Sequence, residues 1–110
     1  MLVKNIVKII SGELIIGNEE EKLENFSKDT RKINENDTYI GIKGDNFDGN
    51  IFWKDALEKG AKAIIVQGID FKNENLESFK NKVIIKVENT LEALYKIAEY
   101  KFPASITCEG

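Results

Sequence analysis

Three short polar clusters stand where apolar runs end between Phe26 and Ala61, and they are the chain's candidates for chemistry. Ser27-Lys28-Asp29-Thr30-Arg31 follows one run, Lys43-Gly44-Asp45-Asn46 follows the next, and Asp48-Gly49-Asn50 leads into a helical pattern. Strand exits and helix starts are where α/β domains collect their ligand contacts. Asp29 and Arg31 offer an acid and an electrostatic clamp. A single carboxylate with no partner and no metal is a poor general acid or base, so the residues favour a structural ion pair or loop brace. Thr30 brings a hydroxyl that either bonds its own turn or faces a ligand. Asp48-Gly49-Asn50 reads first as a turn with Asn50 as helix N-cap, and second as a ligand contact. No catalytic residue is assigned.

The elements that position these clusters follow from periodicity. Leu2, Val3, Ile6, Val7, Ile9 and Ile10 recur at helical spacing, with Lys4, Asn5 and Lys8 opposite and Ser11-Gly12 as the stop. Residues 13–16 read as a strand ended by Gly17-Asn18, and Glu19 to Glu21 as a solvated acidic turn. Weak alternation from Leu23 to Ser27 suggests a half-buried strand that delivers residues 28–31 at its exit. Asn34 to Asp37 is a turn by composition, and Thr38 to Ile42 a strand of β-branched and aromatic residues. Gly41 inside that strand marks a close approach to the backbone or a packing accommodation, the second being favoured. After a loop from Gly44 to Gly49, Phe52, Trp53, Ala56 and Leu57 form the buried face of a helix that stops at Gly60, which places both aromatics in the core.

Two continuous apolar runs follow, Ala63 to Val66 and Val83 to Val87, of the kind a sheet covered on both faces needs. Asp70 to Lys82, between them, is a polar connection with room for one irregular helical turn. Asn89 caps a last helix whose Leu91, Leu94, Tyr95, Ile97 and Ala98 share a face. This alternation predicts an α/β fold, a single small domain with a mixed, partly parallel sheet flanked by about three helices.

Composition narrows the function classes. At 110 residues the chain is one domain and small for a complete nucleotide-using enzyme. The net charge of −3 comes from Lys and Arg dispersed among Asp and Glu, which leaves no basic stripe for a nucleic acid. With one Cys, Cys108, and no His, neither an internal disulfide nor a clustered metal site is expected. The N-terminal apolar run is too short and too often interrupted for a membrane span, so a reducing cytoplasm fits, and apolar runs that account for one contiguous core make a monomer the expectation.

Taken in order, these residues resemble the N-terminal domain of the Mur ligases of peptidoglycan synthesis. The resemblance rests on Asp29-Thr30-Arg31, Asn36-Asp37, the strand from Tyr39 to Ile42, Lys43-Gly44, Asp48-Gly49-Asn50, Phe52 and Gly60-Ala61. It departs from the family pattern at Asn36, where Gly is usual, and at Gly41, where Ala is usual. What it implies is a domain that holds the UDP end of UDP-N-acetylmuramoyl-peptide, with ATP and Mg²⁺ bound by a central domain and the incoming amine by a C-terminal one. Lys28 and Thr30 then match nucleotide-contacting positions, and Asp45, Asn46 and Phe47 the loop that lies against the uridine. Asp29, Arg31, Asp48, Gly49 and Asn50 are secondary candidates.

Thr30 with the loop from Lys43 to Gly49 looks most like the branch that joins D-alanyl-D-alanine to the tripeptide precursor. The sister branch that adds the third amino acid, and a free-standing uridine-nucleotide-binding or interaction module, are the alternatives. Residues 1–104 are assigned to the UDP-precursor domain. Residues 105–110 resemble the start of the strand into an ATP-binding domain, or a tail foreign to the fold, because Ile106-Thr107-Cys108-Glu109-Gly110 stops short of a phosphate-binding Lys. The chain is thus expected to be a non-catalytic piece of an ATP-dependent ligase, with no cofactor of its own.

Overall fold

A computed structural model describes residues 1–101; Cys108 and the expected boundary at residues 104 and 105 lie outside the described residues. The elements run α1 (Val3–Ile10), β1 (Glu13–Ile16), β2 (Phe26–Ser27), β3 (Thr38–Ile40), α2 (Trp53–Glu58), β4 (Ala63–Val66), β5 (Val83–Lys86) and α3 (Thr90–Lys101). The strands form one five-stranded sheet in the order β1-β5-β4-β3-β2. β2, β3, β4 and β5 are mutually parallel and β1 is antiparallel to β5, so the expected mixed α/β sheet with three helices is what forms.

Strand alternation sorts the core into two layers. Ile40, Ala63, Ile65, Val83 and Ile85 face α1 and α3, against Val3, Ile6, Ile10, Ala93 and Ile97. Tyr39, Ile64, Val66 and Ile84 face the other way, against Trp53, Ala56 and Leu57 of α2. Both faces of β4 and β5 are covered, which is why those strands are apolar up to the half-buried Lys86 that ends β5. The long connection after β4 contains two 3₁₀ turns rather than one, Phe71–Asn73 and Glu77–Phe79. They deliver Phe71 and Phe79 edge-on to the Trp53 ring, at centroid separations of 5.1 and 5.9 Å, and so close the second layer.

Several expectations change in detail. β2 keeps only two residues, because Asn25 adopts a left-handed φ of 55° and interrupts the run before it. The acidic turn does more than solvate: the Glu21 and Glu19 carbonyls accept from the Val3 and Lys4 amides at 2.8 and 3.0 Å, at the start of a helix without a side-chain cap. The Glu20 and Glu21 carboxylates pair with Lys4 and Lys62. On α3 the inward residues are Thr90, Ala93, Leu94 and Ile97, while Leu91, Tyr95 and Ala98 are exposed, so the apolar face is rotated from the one expected. Asn89 caps α3 as expected, accepting from the Glu92 amide at 3.0 Å. The helix start is held again from the residue that follows β4, where Gln67 Oε1 accepts from the Thr90 amide and hydroxyl.

Asn36 accounts for one departure from the family pattern. Its φ of 72° is left-handed, which glycine adopts freely and asparagine better than most side chains.

Candidate functional site

Because β2 and β3 are parallel and adjacent, the segments that leave them emerge at the same edge of the sheet. The first segment turns at once. Asp29 is N-cap of a 3₁₀ turn, Thr30–Lys32, and its Oδ1 accepts from the Arg31 amide at 2.9 Å. Arg31 also closes a fork on the carboxylate, Nε to Oδ1 and NH2 to Oδ2, both at 3.1 Å. Ser27 Oγ both donates to the Asp29 carbonyl and accepts from the Asp29 amide at 3.3 Å, so the turn is braced by the neighbours of Thr30 and not by Thr30 itself. Among the described residues the Thr30 hydroxyl has no hydrogen-bond partner; only its carbonyl is taken, by Lys59 Nζ at 3.4 Å. Lys28 is exposed and forms no ion pair among those residues.

The second segment is a tight loop. Lys43 and Asp48 bridge as antiparallel partners, and the Gly44 amide donates to the Phe47 carbonyl at 2.6 Å. Asp45 and Asn46 form the exposed tip. Phe47, 58% exposed, stacks on Phe52 with ring centroids 6.0 Å apart and planes at 24°. The Asp45, Asn46 and Phe47 amides donate to no group of the described residues.

Between the two segments lies an open cleft of about 760 Å³, lined by Lys28, Asp29, Thr30, Arg31, Tyr39, Ile42, Gly44, Phe47 and Phe52. Of the expected primary residues, the fold brings Lys28, Thr30 and Phe47 to this cleft, with Asp29 and Arg31 beside them. Asp45 and Asn46 stand at the rim and do not line it. Asp48, Gly49 and Asn50 lie behind the loop wall. Asn50 is not the N-cap expected; Asp48 is, accepting from the Asn50 amide at 3.0 Å, and the turn it caps is a 3₁₀ turn, Gly49–Phe52, ahead of α2. Phe52 is likewise half-buried at the cleft rather than core, because that turn rotates it off the inward face of α2. Gly44, part of the second candidate cluster, lines the cleft as well, and so do Tyr39 and Ile42, which the sequence offered as strand residues with no site role. The available signal was their place at the exit of a strand whose neighbour ends at the same edge.

Charge in the cleft is fixed rather than poised. The Arg31 fork and amide hold the Asp29 carboxyl down at about 2, and the same pairing raises the guanidinium. Burial, with the Asp29 and Asp48 charges behind it, pushes the Tyr39 hydroxyl up to about 12. Near neutral pH Asp29 is therefore ionised and Tyr39 protonated, so neither is suited to shuttle a proton. A hydroxyl, an ammonium, free loop amides and a pair of aromatic faces suit a ligand with anionic oxygens and a flat ring.

The family model described as Mur ligase family, catalytic domain, matches residues 22–102. A UDP-N-acetylmuramoyl-L-alanyl-D-glutamate--2,6-diaminopimelate ligase of Clostridium perfringens is 40% identical over 94 residues, covering 86% of this chain and 18% of that protein. A UDP-N-acetylmuramoyl-tripeptide--D-alanyl-D-alanine ligase of Bacillus subtilis is 31% identical over 98 residues, covering 88% and 20%. The solved UDP-N-acetylmuramoylalanyl-D-glutamyl-2,6-diaminopimelate--D-alanyl-D-alanyl ligase of Acinetobacter baumannii superposes with a TM-score of 0.71 over 94% of this chain and 22% of its own. At 16% identity that likeness speaks for the fold alone. The chain spans about a fifth of the length of the curated relatives it matches.

Proposed function

This chain belongs to the Mur ligase family, and from that premise we propose that it holds the uridine diphosphate end of a UDP-N-acetylmuramoyl-peptide in an ATP-dependent amide ligase of peptidoglycan synthesis. The observation that supports the assignment is the meeting of the unpartnered Thr30 hydroxyl and the Lys28 ammonium with the wall that Gly44 and Phe47 form, in one cleft. In this reading the Thr30 hydroxyl and Lys28 donate to the pyrophosphate, the amides of Asp45 to Phe47 meet the uridine, and Phe47 with Phe52 offers it an apolar face. Asp29 and Arg31 keep the turn rigid. A cytoplasmic, monomeric protein goes with this assignment.

The residues here do not fit Mg²⁺-ATP. Among the described residues no three His, Cys, Asp or Glu side chains cluster to hold a metal, and the sequence has no Gly-rich loop ending in Gly-Lys-Thr or Gly-Lys-Ser. No phosphoryl step is assigned to them, and the precursor's carboxylate would be activated on other domains.

Two readings of the added group have support. Thr30 and its loop favour the D-alanyl-D-alanine branch. The higher identity to a diaminopimelate-adding ligase, 40% against 31%, favours the sister branch that adds the third amino acid. Both branches share a UDP-linked precursor, so the cleft has the same task in either.

Titration of the chain with UDP, followed by amide NMR, tests the assignment. Half of an interdomain cleft leaves much of the ligand in water, so Kd should fall in the range of roughly 0.1 to 10 mM. The Thr30 and Asp45 to Phe47 amides should shift; shifts confined to α3, or none at 10 mM ligand or so, would overturn it.

A further inference from the structure

Taking the cleft as the ligand site proposed above, we propose that Asn50 is a positioning residue: its buried carboxamide latches the loop from Lys43 to Gly49 to the sheet without touching ligand. Asn50 is 1% exposed and does not line the cleft. Its Nδ2 donates to Asp48 Oδ1 at 2.8 Å, and its Oδ1 accepts from the Gln67 amide at the end of β4 at 2.9 Å. A carboxylate only accepts and a backbone N–H only donates, so the two ends of the amide are not interchangeable. Capping of the 3₁₀ turn is already done by Asp48, which leaves the tie across to β4 as what the Asn50 side chain adds.

The strand opposite is shaped for that tie. A Cβ at Gly41 would stand 2.6 Å from Asn50 Oδ1 and 2.9 Å from its Cα, so only glycine leaves room for the carboxamide. Beside it the base of the loop is closed twice, by the Gly49 amide on the Ile42 carbonyl at 2.8 Å and the Tyr39 hydroxyl on the Gly49 carbonyl at 2.7 Å. Gly44 and Phe47, the loop's contribution to the cleft wall, hang from this knot.

Asn50→Asp isolates the latch. It keeps shape and the acceptor to Gln67, but sets a second carboxylate against Asp48 where a donor stood. Of titratable side chains, the structure sets Asp48 on the same turn and Tyr39 from β3 against it; β4 offers the uncharged Gln67 amide. Two carboxylates at that separation share one proton, so acid restores a donor between them. At pH 8 or so the exchange protection of the Gly44 and Gly49 amides should fall roughly tenfold or more, while that of Ile65 and Ile84 is kept. Affinity for a UDP-sugar, whose pyrophosphate diester does not titrate here, should weaken by a similar factor, and both should recover as the medium is acidified. Gly41→Ala should loosen the same amides at every pH. Unchanged loop protection in Asn50→Asp, or lost protection with unchanged affinity, overturns the latch. A wild-type chain that binds no UDP-sugar overturns the cleft assignment instead, and the exchange measurement then decides the latch alone.

Discussion

Thr30→Val removes one donor from the cleft while keeping volume and β-branching. In the folded chain that donor has no partner among the described residues: Ser27 and Asp29 brace the turn, and the bond from Lys59 goes to the Thr30 carbonyl, which valine retains. Asp29, not Thr30, caps the 3₁₀ turn. Stability should therefore move by no more than about 0.5 kcal/mol, the range of substitutions that break no internal contact. If the hydroxyl donates to a pyrophosphate oxygen, the loss is a hydrogen bond to a charged acceptor, worth about 1.5 to 3 kcal/mol. Binding of UDP-N-acetylmuramoyl-peptide should weaken by roughly 10- to 150-fold. Thr30→Ser keeps the donor and should cost much less. Because the chain alone is expected to bind weakly, calorimetric Kd is best compared in a full-length ligase carrying the domain, with melting temperature recorded alongside. Equal affinity for both variants, with a lowered melting temperature for Thr30→Val, would refute the reasoning and make the hydroxyl a brace.

Two further perturbations test the scaffold of the cleft. Asp29 has a folded pKa of about 2 against 3.8 in the unfolded chain, so its pairing stabilises fully above pH 3.8 and is lost as pH falls toward 2; Asn at position 29 should flatten the fall of melting temperature across that window, and parallel curves would refute the pairing's role. Tyr39→Phe leaves the buried Gly49 carbonyl without its donor, which should cost about 1 to 3 kcal/mol as a lowered denaturant midpoint at unchanged slope; a midpoint equal to wild type would mean the loop base does not depend on that bond.

The sheet was legible because burial writes itself into the strands. Ala63 to Val66 and Val83 to Ile85 are apolar on both faces since helices cover both, and few arrangements besides a doubly covered sheet produce that pattern in so short a run. The two clusters after β2 and β3 were legible for a related reason, since polar residues at the ends of parallel strands must come out together. What resisted was set by tertiary contact. Periodicity placed Phe52 in the core, but the 3₁₀ turn from Gly49 changes the rotation per residue just before α2 and swings that ring to the cleft. Leu91 and Tyr95 fit an apolar stripe on α3, yet with Gln67 holding the helix start they are exposed, while Ile97 is buried as expected and Ala93 is buried beside it. Gly41 left a close approach and a packing accommodation open, with the second favoured, and only the fold shows the approach and names Asn50 as what comes close. Local pattern reports which residues want burial, and the competition for it is decided by neighbours distant in sequence.

If the cleft takes the pyrophosphate proposed for it, the same contacts decide how an anion is recognised on a chain whose net charge is −3. Long-range attraction is weak, and at about 0.1 M salt fields fade beyond roughly 10 Å. Arg31 contributes little free charge because its fork is spent on Asp29. Lys28 is left as the unpaired cation among the lining residues, and one exposed ammonium cannot specify a ligand. Selectivity would then come from donors held at fixed positions, and the donors here are divided between two strand exits. Thr30 sits on a turn tied to a two-residue edge strand, and the loop amides on a hairpin tied through Asn50 and Tyr39 to β3 and β4. Such a site is as precise as the link between its halves. That link is the parallel pairing of β2 with β3, only two residues long, so the edge strand is where small sequence changes should retune the cleft without touching ligand.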